Sequence, residues 1–553
     1  MAIASPSTST FSPSLGCTRT KVSRLARSPQ LLLTQSRRNR TRRLVVSSRL
    51  NSSKSSDAGG SVSPDNGDAS FLYELQHDFS PQRRRSGLPV FVTLPVDALN
   101  LEGRVRRPKA MKHSFHALAK AGVEGVVIEI WWGLVERNEP RVYNWQGYWE
   151  LLMLAWNCGL KVRVVLAFHQ CGTDPGDPNW IPLPLWVLDE IKKNPELTYS
   201  DTFGRRNFEY ISLGCDMLPV LRGRSPIQAY ADFMRDFRNA FRACLGVIIT
   251  GVQVGMGPGG ELRYPSRPPS QKLQGAGPLE LGEFQCYDKY MIASLNACAR
   301  DMGMHEWGNG GPIGTGNLMQ SPELNQFLRS DVGSWNPPYG NFFLEWYLRM
   351  LVLHGERICR EAGTIFRDTE VNISTKVAVF NWNYNTQSHP SELTAGYYNT
   401  LYRDGYLPIA RMFSKYGFTM CCSYFEMQDP VVNKITTESS PEGLFRQILL
   451  AARLCDLPLD GENFSSNLDD KAFDQLLKMS KFYSDGIEKR PFSFNFVRMD
   501  RNLFEPRYWS RFTRFVKQMT NGNIFRARLN SAINVRLKPA SRAAEVGLPY
   551  QLA

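Results

Sequence analysis

The feature that most constrains the fold is a series of eight apolar runs, rich in β-branched residues, that alternate with helical patterns. The runs are continuous rather than alternating in polarity, which is typical of strands buried on both faces of a parallel sheet. They cover residues 88–96, 123–132, 160–171, 247–256, 376–384, 418–427, 457–463 and 492–499. This order predicts an α/β fold, a (β/α)8 TIM barrel with long βα-loop insertions and a C-terminal tail. A doubly wound sheet is the alternative.

The N-terminal segment has a different composition. Residues 1–56 hold eleven Arg or Lys and 20 Ser or Thr, and the first acidic residue is Asp57. An Arg-rich, Ser-rich segment without acids is typical of an organelle transit peptide, and a disordered basic tail is the alternative. The predicted organisation is a transit peptide over 1–57, a flexible linker over 58–87, the barrel over 88–520 and a C-terminal tail over 521–553.

Charge and cysteine content exclude several classes of protein. The formal net charge is +14, of which residues 1–56 supply +11, so the rest of the chain is nearly neutral and does not predict a nucleic-acid partner. No apolar stretch reaches the length of about 18 residues that a transmembrane helix needs, so no membrane partner is expected. Eleven cysteines without a C-x-x-C pair and seven unclustered histidines predict neither a disulfide framework nor a metal site.

Polar side chains follow the ends of the predicted strands. In a barrel, these ends meet on one rim, where the chemistry takes place. Carboxylates, amides and aromatic rings on a common rim are typical of a carbohydrate site, and two carboxylates can cleave a glycosidic bond. The rim residues are Glu129, His169, Glu261, Asn381, Glu462, Asn463 and Arg498.

A glycine motif at 255–260 matches the dinucleotide-binding pattern G-x-G-x-x-G. That pattern requires a helix to begin at its end, so that the helix N-terminus receives the pyrophosphate. Here Pro265, Pro268 and Pro269 follow, and a segment so rich in proline does not form that helix. A nucleotide cofactor is therefore not expected.

Five longer motifs resemble the plant β-amylases, glycoside hydrolases that release β-maltose from the non-reducing ends of α-1,4-glucans. The resemblance covers roughly residues 88–520, and the plastid-targeted members are the most similar. The motifs are FHQCG at 168–172, GELRYPS at 260–266, GEFQCYDKYM at 282–291, ELTAGYYNT at 392–400 and GEN at 461–463.

The resemblance implies an inverting mechanism with Glu261 as general acid, Glu462 as general base and Asp177 on a mobile lid. The two carboxyl groups should then lie about 6.5–9.5 Å apart. It also implies α-1,4-glucan (starch or maltodextrin) as partner, no metal or organic cofactor, and the chloroplast stroma as location. The positions expected to contact or support substrate are Glu129, His169, Asp177, Lys376, Asn381, Ser423, Asn463 and Arg498.

Several pocket positions depart from the family pattern. Glu129 replaces Asp, Asn381-Trp382-Asn383-Tyr384 replaces H-W-[WH]-Y, and Ser423 replaces Thr in F-T-C-x-E-M. After GEN the family has Ala-Leu, whereas this chain has Phe464-Ser465. Because a misplacement of about 1 Å can cost on the order of 100-fold in rate, two hypotheses stay open. The chain is either a working β-amylase, with reduced activity, or a catalytically inactive glucan-binding relative with a regulatory role.

Overall fold

The computed structural model describes residues 87–172, 174–266, 282–312, 325–329, 333–429, 439–484 and 492–525. The predicted transit peptide, all but the last residue of the predicted linker, and the tail after residue 525 lie outside these ranges. The described strands are β1 Val90–Thr93, β2 Gly125–Trp131, β3 Lys161–Ala167, β4 Thr198–Ser200, β5 Arg206–Ile211, β6 Ile249–Val254, β7 Glu261–Leu262, β8 Asn372–Val377, β9 Thr419–Cys422, β10 Leu459–Glu462 and β11 Phe494–Phe496.

Twelve α-helices are described, and most of them lie between these strands. They are α1 Pro108–Ala121, α2 Trp132–Val135, α3 Gln146–Trp156, α4 Leu185–Lys193, α5 Pro226–Ala240, α6 Lys289–Asp301, α7 Pro338–Ile365, α8 Pro390–Ala395, α9 Leu407–Lys415, α10 Pro441–Leu454, α11 Asp470–Ser484 and α12 Pro506–Thr520.

Eight parallel strands close into a barrel, which confirms the predicted fold. The order around the barrel is β1, β2, β3, β6, β8, β9, β10 and β11, and β11 pairs with β1 through the register Val90 with Phe494. The residues of β1, β9, β10 and β11 are all buried. Burial on both faces is the property that produced the continuous apolar runs in the sequence.

The two-residue strand β7 changes the barrel locally. Strand β6 pairs with the first half of β8, through Gln253 with Ser374, and β7 then pairs with the second half, through Glu261 with Lys376. The chain therefore leaves the sheet after β6 and re-enters it at Glu261. This re-entry places Glu261 at the carboxyl end of the barrel, beside Lys376.

Local signals in the sequence explain where several helices begin. Ser225 and Gln228 form a reciprocal capping box at the start of α5, and Pro226 occupies the first helical position. The Asp288 side chain accepts two backbone N–H bonds at the start of α6. The Ser440 side chain caps α10, which begins at Pro441.

Most strands are shorter than the predicted runs, as in β9, which ends at Cys422, and two further differences concern the sheet itself. The fifth apolar run was expected to be a strand over 376–384, but β8 begins at Asn372 and ends at Val377. The backbone N–H of Ala378 donates to the hydroxyl of Tyr397, and its carbonyl accepts from the hydroxyl of Tyr406. Because both backbone groups of Ala378 bond side chains, the strand pairing of β8 ends before this residue. The hairpin β4–β5 was not predicted. None of the helices described is long and apolar enough to span a bilayer.

Candidate active site

The Glu462 carboxylate is the most elaborately held group on the barrel rim. It ends β10 and is 5% exposed. Its Oε1 accepts a hydrogen bond of 2.7 Å from the Ser423 hydroxyl and contacts the Lys376 ammonium. The Cys421 thiol donates to Oε2 at 3.7 Å. These contacts fix the orientation of a carboxylate that a general base requires.

Lys376 lies next to both predicted catalytic residues. Its backbone is in register with that of Glu261 across β8 and β7, and its ammonium contacts the Glu462 carboxylate. Burial acts to lower the pKa of Lys376, but Glu462, Cys421 and Glu261 outweigh burial and raise this pKa above its usual value. The lysine therefore stays positively charged between two carboxylates at neutral pH.

The Glu261 carboxylate is held from the other side by an arginine two residues later. Arg263 donates from Nε to Oε2 of Glu261 at 2.7 Å, and both side chains are largely buried. Burial acts to lower the pKa of Arg263, but Glu261 and Glu209 raise it. The bond to Arg263 uses the Oε2 atom of Glu261.

Glu209 is a third carboxylate beside this pair, and it was missed in the sequence because it lies on β5, outside the eight predicted strands. Its Oε1 accepts a hydrogen bond of 2.7 Å from the backbone N–H of Gly259. Burial raises the pKa of Glu209, against the lowering effect of Arg263. The unpredicted β4–β5 hairpin thus brings a further acid to the rim.

Glu129 and Arg498 form an ion pair on the opposite side of the barrel. Arg498 donates to the two carboxylate oxygens at 2.7 and 3.2 Å and also to the carbonyl of Leu94 at 2.7 Å. Burial acts to raise the pKa of Glu129, but the charge and hydrogen bonds of Arg498 lower it below its usual value. The Glu129 side chain, at the position where the family pattern has the shorter Asp, is therefore oriented toward Arg498.

His169 follows β3 and packs edge-on against Trp131, with ring centroids 5.2 Å apart. Burial lowers the pKa of His169 to about 4, although Glu129 acts to raise it. Its Nδ1 atom is buried and has no hydrogen-bond partner among the described residues. Gly260 lies alongside, where a Cβ atom would be 3.4 Å from the imidazole. A neutral imidazole at this place has the chemistry to bond a sugar hydroxyl.

Two of the predicted residues, Asp177 and Asn381, lie apart from the predicted catalytic carboxylates. Asp177 lies on the loop after β3, where its Oδ1 accepts from the N–H of Asn179 at 2.9 Å. Asn381 is buried, and its described contacts are with Ser439 at 2.9 Å and with the Met427 sulfur at 3.4 Å. Neither side chain has a described contact with the catalytic carboxylates.

Asn463 ties the ends of two strands together. Its amide Nδ2 donates to the carbonyls of Ser465 and Val497, and its Oδ1 accepts from the N–H of Val497 at 2.8 Å. These bonds connect the loop after β10 to the loop after β11. The described contacts of Asn463 are therefore those of a supporting residue for Glu462.

Glu426 and Tyr424 are two further rim residues that sequence reasoning did not single out. The Glu426 carboxylate accepts from the backbone N–H groups of Phe464 at 2.9 Å and Ser465 at 2.6 Å. Burial raises the pKa of Glu426 against these hydrogen bonds. The glutamate was visible in the motif F-T-C-x-E-M, but its function depends on a contact with a loop 38 residues away.

The described residues contain no group of three or more His, Cys, Asp or Glu arranged to hold a metal ion. The buried thiols Cys421 and Cys422 have pKa values raised by burial, and the described cysteines are free. The rim therefore offers carboxylates and cations for acid–base chemistry.

Residues 91–524 match the sequence profile of glycosyl hydrolase family 14. The chain belongs to this family. The match covers the whole barrel, including every rim residue described above, so the resemblance drawn from the five motifs is confirmed.

Similar proteins and structures agree with membership of family 14. The chain is 49% identical over 443 residues to Beta-amylase 1, chloroplastic, of Arabidopsis thaliana, covering 79% of this chain and 76% of that protein. It is 46% identical over 454 residues to the protein of the same name from Oryza sativa subsp. japonica, covering 81% and 83%. The crystal structure of the catalytic domain of β-amylase from Paenibacillus polymyxa has a TM-score of 0.63 at 23% identity, covering 79% of this chain and all of that one, which supports the fold.

Two departures from the family 14 pattern have local structural explanations. Ser423 keeps the hydroxyl of the usual Thr, and this hydroxyl bonds Glu462. Asn383 has a φ of +63°, in the left-handed region that Asn tolerates better than most residues. These two changes are therefore compatible with the local structure, and Glu129, a third departure, is paired with Arg498.

Proposed function

We propose that this chain is a plastid hydrolase that acts in starch breakdown. It cleaves α-1,4-glucosidic bonds of starch or maltodextrin from non-reducing ends and releases β-maltose, in the chloroplast stroma. The observation that carries this proposal is the position of Lys376 on the carboxyl rim of a family 14 barrel, where its ammonium contacts the Glu462 carboxylate and its backbone is in register with that of Glu261. The chloroplastic β-amylases to which the chain is similar support the location.

In the proposed mechanism, two carboxyl groups act on opposite faces of one sugar ring. Glu261, in its protonated form, gives its proton to the glycosidic oxygen as the bond from that oxygen to the anomeric carbon breaks. Glu462, in its ionised form, takes a proton from a water molecule whose oxygen attacks the anomeric carbon. The configuration inverts, and the released sugar is β-maltose. The expected distance between the two carboxyl groups is about 6.5–9.5 Å.

Other rim residues hold the substrate and the base. The charge of Lys376 and the hydroxyl of Ser423 orient Glu462. The neutral imidazole of His169, with its buried Nδ1, is suited to a sugar hydroxyl. We assign Asp177 to a lid that closes over the sugar and excludes water.

A specific contact favours a second candidate, a glucan-binding protein with little or no turnover. The Glu129 carboxylate is paired with Arg498 through two hydrogen bonds, and this pair competes with sugar hydroxyls for both groups. Loss of polar contacts to a sugar weakens positioning more than it weakens proton transfer. Such a protein would bind the same glucan and release no maltose.

The experiment that decides between them is incubation of the purified chain with maltoheptaose. Products are separated by chromatography, and the anomeric form of new maltose is read by proton NMR at early times. We expect β-maltose, and a loss of at least about 1000-fold in Glu261→Gln and in Glu462→Gln. The exposed Glu139→Gln is the matched control and should keep full activity.

Three results would contradict the proposed hydrolase. Binding of maltoheptaose without product would favour the glucan-binding candidate. Release of α-maltose would exclude an inverting mechanism. Activity that survives Glu261→Gln would exclude that residue as general acid.

A further inference from the structure

Two aromatic rings stack at the outer edge of the candidate site. The rings of Tyr424 and Phe464 lie 4.4 Å apart between centroids, at an interplanar angle of 22°. Tyr424 is 6% exposed, whereas Phe464 is 50% exposed. Phe464 therefore covers the tyrosine ring and leaves a large part of its own surface open to solvent.

The stack begins directly at the catalytic centre. Tyr424 follows Ser423, whose hydroxyl bonds Glu462, and Phe464 is two residues after Glu462. The ring of Trp382 is nearly perpendicular to that of Tyr424, with centroids 6.3 Å apart and an interplanar angle of 87°. Because Glu462 is buried and Phe464 is half exposed, the rings extend from the catalytic base toward the mouth of the pocket.

The loop that carries Phe464 is fixed in place. The Glu426 carboxylate accepts the backbone N–H groups of Phe464 and Ser465. Further along, the Tyr508 hydroxyl donates to the carbonyl of Ser466 at 3.0 Å and accepts from the N–H of Leu468 at 3.2 Å. A ring presented by a fixed loop loses little conformational entropy when a ligand covers it.

The backbone of Tyr424 is also held in an unusual conformation. Its φ is +71°, in the left-handed region that residues with a Cβ rarely adopt. The next residue, Phe425, has its N–H bonded to the carbonyl of Glu462 at 3.1 Å. The turn that places the tyrosine ring under Phe464 is therefore hydrogen-bonded to the strand that ends in the catalytic base.

The exposed ring of the stack is presented by the loop that follows the Glu462 strand. Aromatic faces stack on the C–H surfaces of sugar rings, and the polar rim around them supplies partners for hydroxyls.

We propose that Tyr424 and Phe464 form a stacking platform at the pocket mouth for one glucosyl residue of an α-1,4-glucan, with Phe464 as the ring that touches the sugar. The inference rests on the proposed function, because only a glucan that enters this pocket reaches the platform. Phe464 is then a positioning residue that favours long glucans over maltose.

The test measures binding separately from turnover. All variants carry Glu261→Gln, so that bound glucan is not cleaved, and Kd is measured by calorimetry for maltoheptaose and for maltose. We expect Phe464→Ala to weaken maltoheptaose binding by about fivefold to thirtyfold. The effect on maltose should be less than about twofold, because the two sugars occupy the interior of the pocket.

Phe464→Trp is expected to restore the affinity for maltoheptaose, since it keeps an aromatic face. Phe203→Ala is the matched control, because Phe203 is 68% exposed and lies between β4 and β5, and it should leave both Kd values unchanged. Circular dichroism of Phe464→Ala checks that the variant is folded, and loss of fold would move the comparison to Phe464→Leu, which keeps bulk without an aromatic face.

Three outcomes overturn the platform: unchanged or tighter binding of maltoheptaose in the tested variant, an equal loss for maltose and maltoheptaose, or no binding of either sugar to the parent chain. Tighter binding would identify the ring as an obstruction. The outcome of maltose release is separate. If the parent chain cleaves maltoheptaose but Phe464→Ala does not weaken binding, the proposed function stands and the platform is excluded. If Phe464→Ala weakens binding of maltoheptaose but the parent chain releases no maltose, the platform stands and the hydrolase is excluded.

Discussion

Arg498, after β11, donates two hydrogen bonds of 2.7 and 3.2 Å to the carboxylate of Glu129 on β2, across the intervening strand β1. A third bond, to the carbonyl of Leu94, holds the arginine to the loop after that strand. An Asp carboxylate at position 129 would lie one methylene closer to the backbone, so we expect this pair to depend on side-chain length. Its consequence for substrate is the basis of the first prediction.

Shortening Glu129 should improve turnover. In Glu129→Asp the carboxylate is withdrawn from Arg498, so both groups become available to sugar hydroxyls. We expect kcat/KM on maltoheptaose to rise by at least about threefold, because small gains in positioning are amplified in rate. Glu129→Gln is the control, since it keeps the length, loses the charge and should give no gain. A similar response of the two variants would contradict the argument from length.

Removing the hydroxyl of Ser423 should impair the base. A hydrogen bond to a charged group contributes roughly 1.5–3 kcal/mol, equivalent to about 10-fold to 100-fold in rate. Ser423→Ala is therefore expected to lower kcat by that factor with little change in KM, whereas Ser423→Thr should retain activity. Steady-state kinetics on maltoheptaose measure both. Ser439→Ala, which removes a hydroxyl bonded to Asn381, should leave kcat within about twofold.

The stability of the barrel should fall as the solution becomes mildly acidic, in part through His169. Its pKa is lowered to about 4 in the folded chain, against an ordinary value of 6.5. Between these values the unfolded chain takes up a proton that the folded chain does not, so the free energy of unfolding decreases as pH falls. At about pH 5 the loss is roughly 2 kcal/mol, and above about pH 7.5 it is absent.

Chemical denaturation of His169→Gln at the same two pH values measures this contribution. The decrease in unfolding free energy on acidification should be smaller in the variant than in the parent chain by about that amount. His116→Gln, at an exposed position on α1, should keep the decrease of the parent. An identical decrease in parent and His169→Gln would mean that other groups account for the acid sensitivity.

Gly461→Ala should destabilise the barrel next to the base. A Cβ atom at this position would lie 2.2 Å from the ring of Phe425, which packs in the core. Overpacking of this kind costs about 1–3 kcal/mol. Thermal unfolding of Gly461→Ala should show a lowered Tm. Gly363→Ala on α7 is the control, because its Cβ would meet no atom within 4 Å, and it should be neutral or slightly stabilising.

The barrel was predictable because burial on both faces leaves a direct mark on each strand, as the fully buried residues of β1 and β9 illustrate. The end of β8 was not predictable from the sequence. The backbone groups of Ala378 bond the hydroxyls of Tyr397 and Tyr406 instead of a neighbouring strand, and these tyrosines lie 19 and 28 residues further along the chain. Local sequence carries no information about such distant partners.

The candidate site was predictable where a motif names the residue and unpredictable where a contact decides its state. Glu261 and Glu462 were found in GELRYPS and GEN, but the partner of Glu129 follows from the geometry of two strands that are not neighbours in sequence. Glu209 was missed because the hairpin that carries it has no counterpart in the eight-strand pattern. The distance between the catalytic carboxyl groups stays a prediction.

Because the chain re-enters the sheet at β7, the position of Glu261 is set by its pairing with β8. Because Glu261 is registered to Lys376 by backbone hydrogen bonds, residues 255–260 act as a spacer between β6 and the acid. This spacer is tightly packed, because a Cβ atom at Gly257 would lie 2.5 Å from the backbone oxygen of Glu261, and one at Gly255 would lie 2.9 Å from that of Leu166. Larger side chains in the segment would therefore disturb the register of Glu261 with Lys376, so the glycines of this motif set the position of that carboxylate.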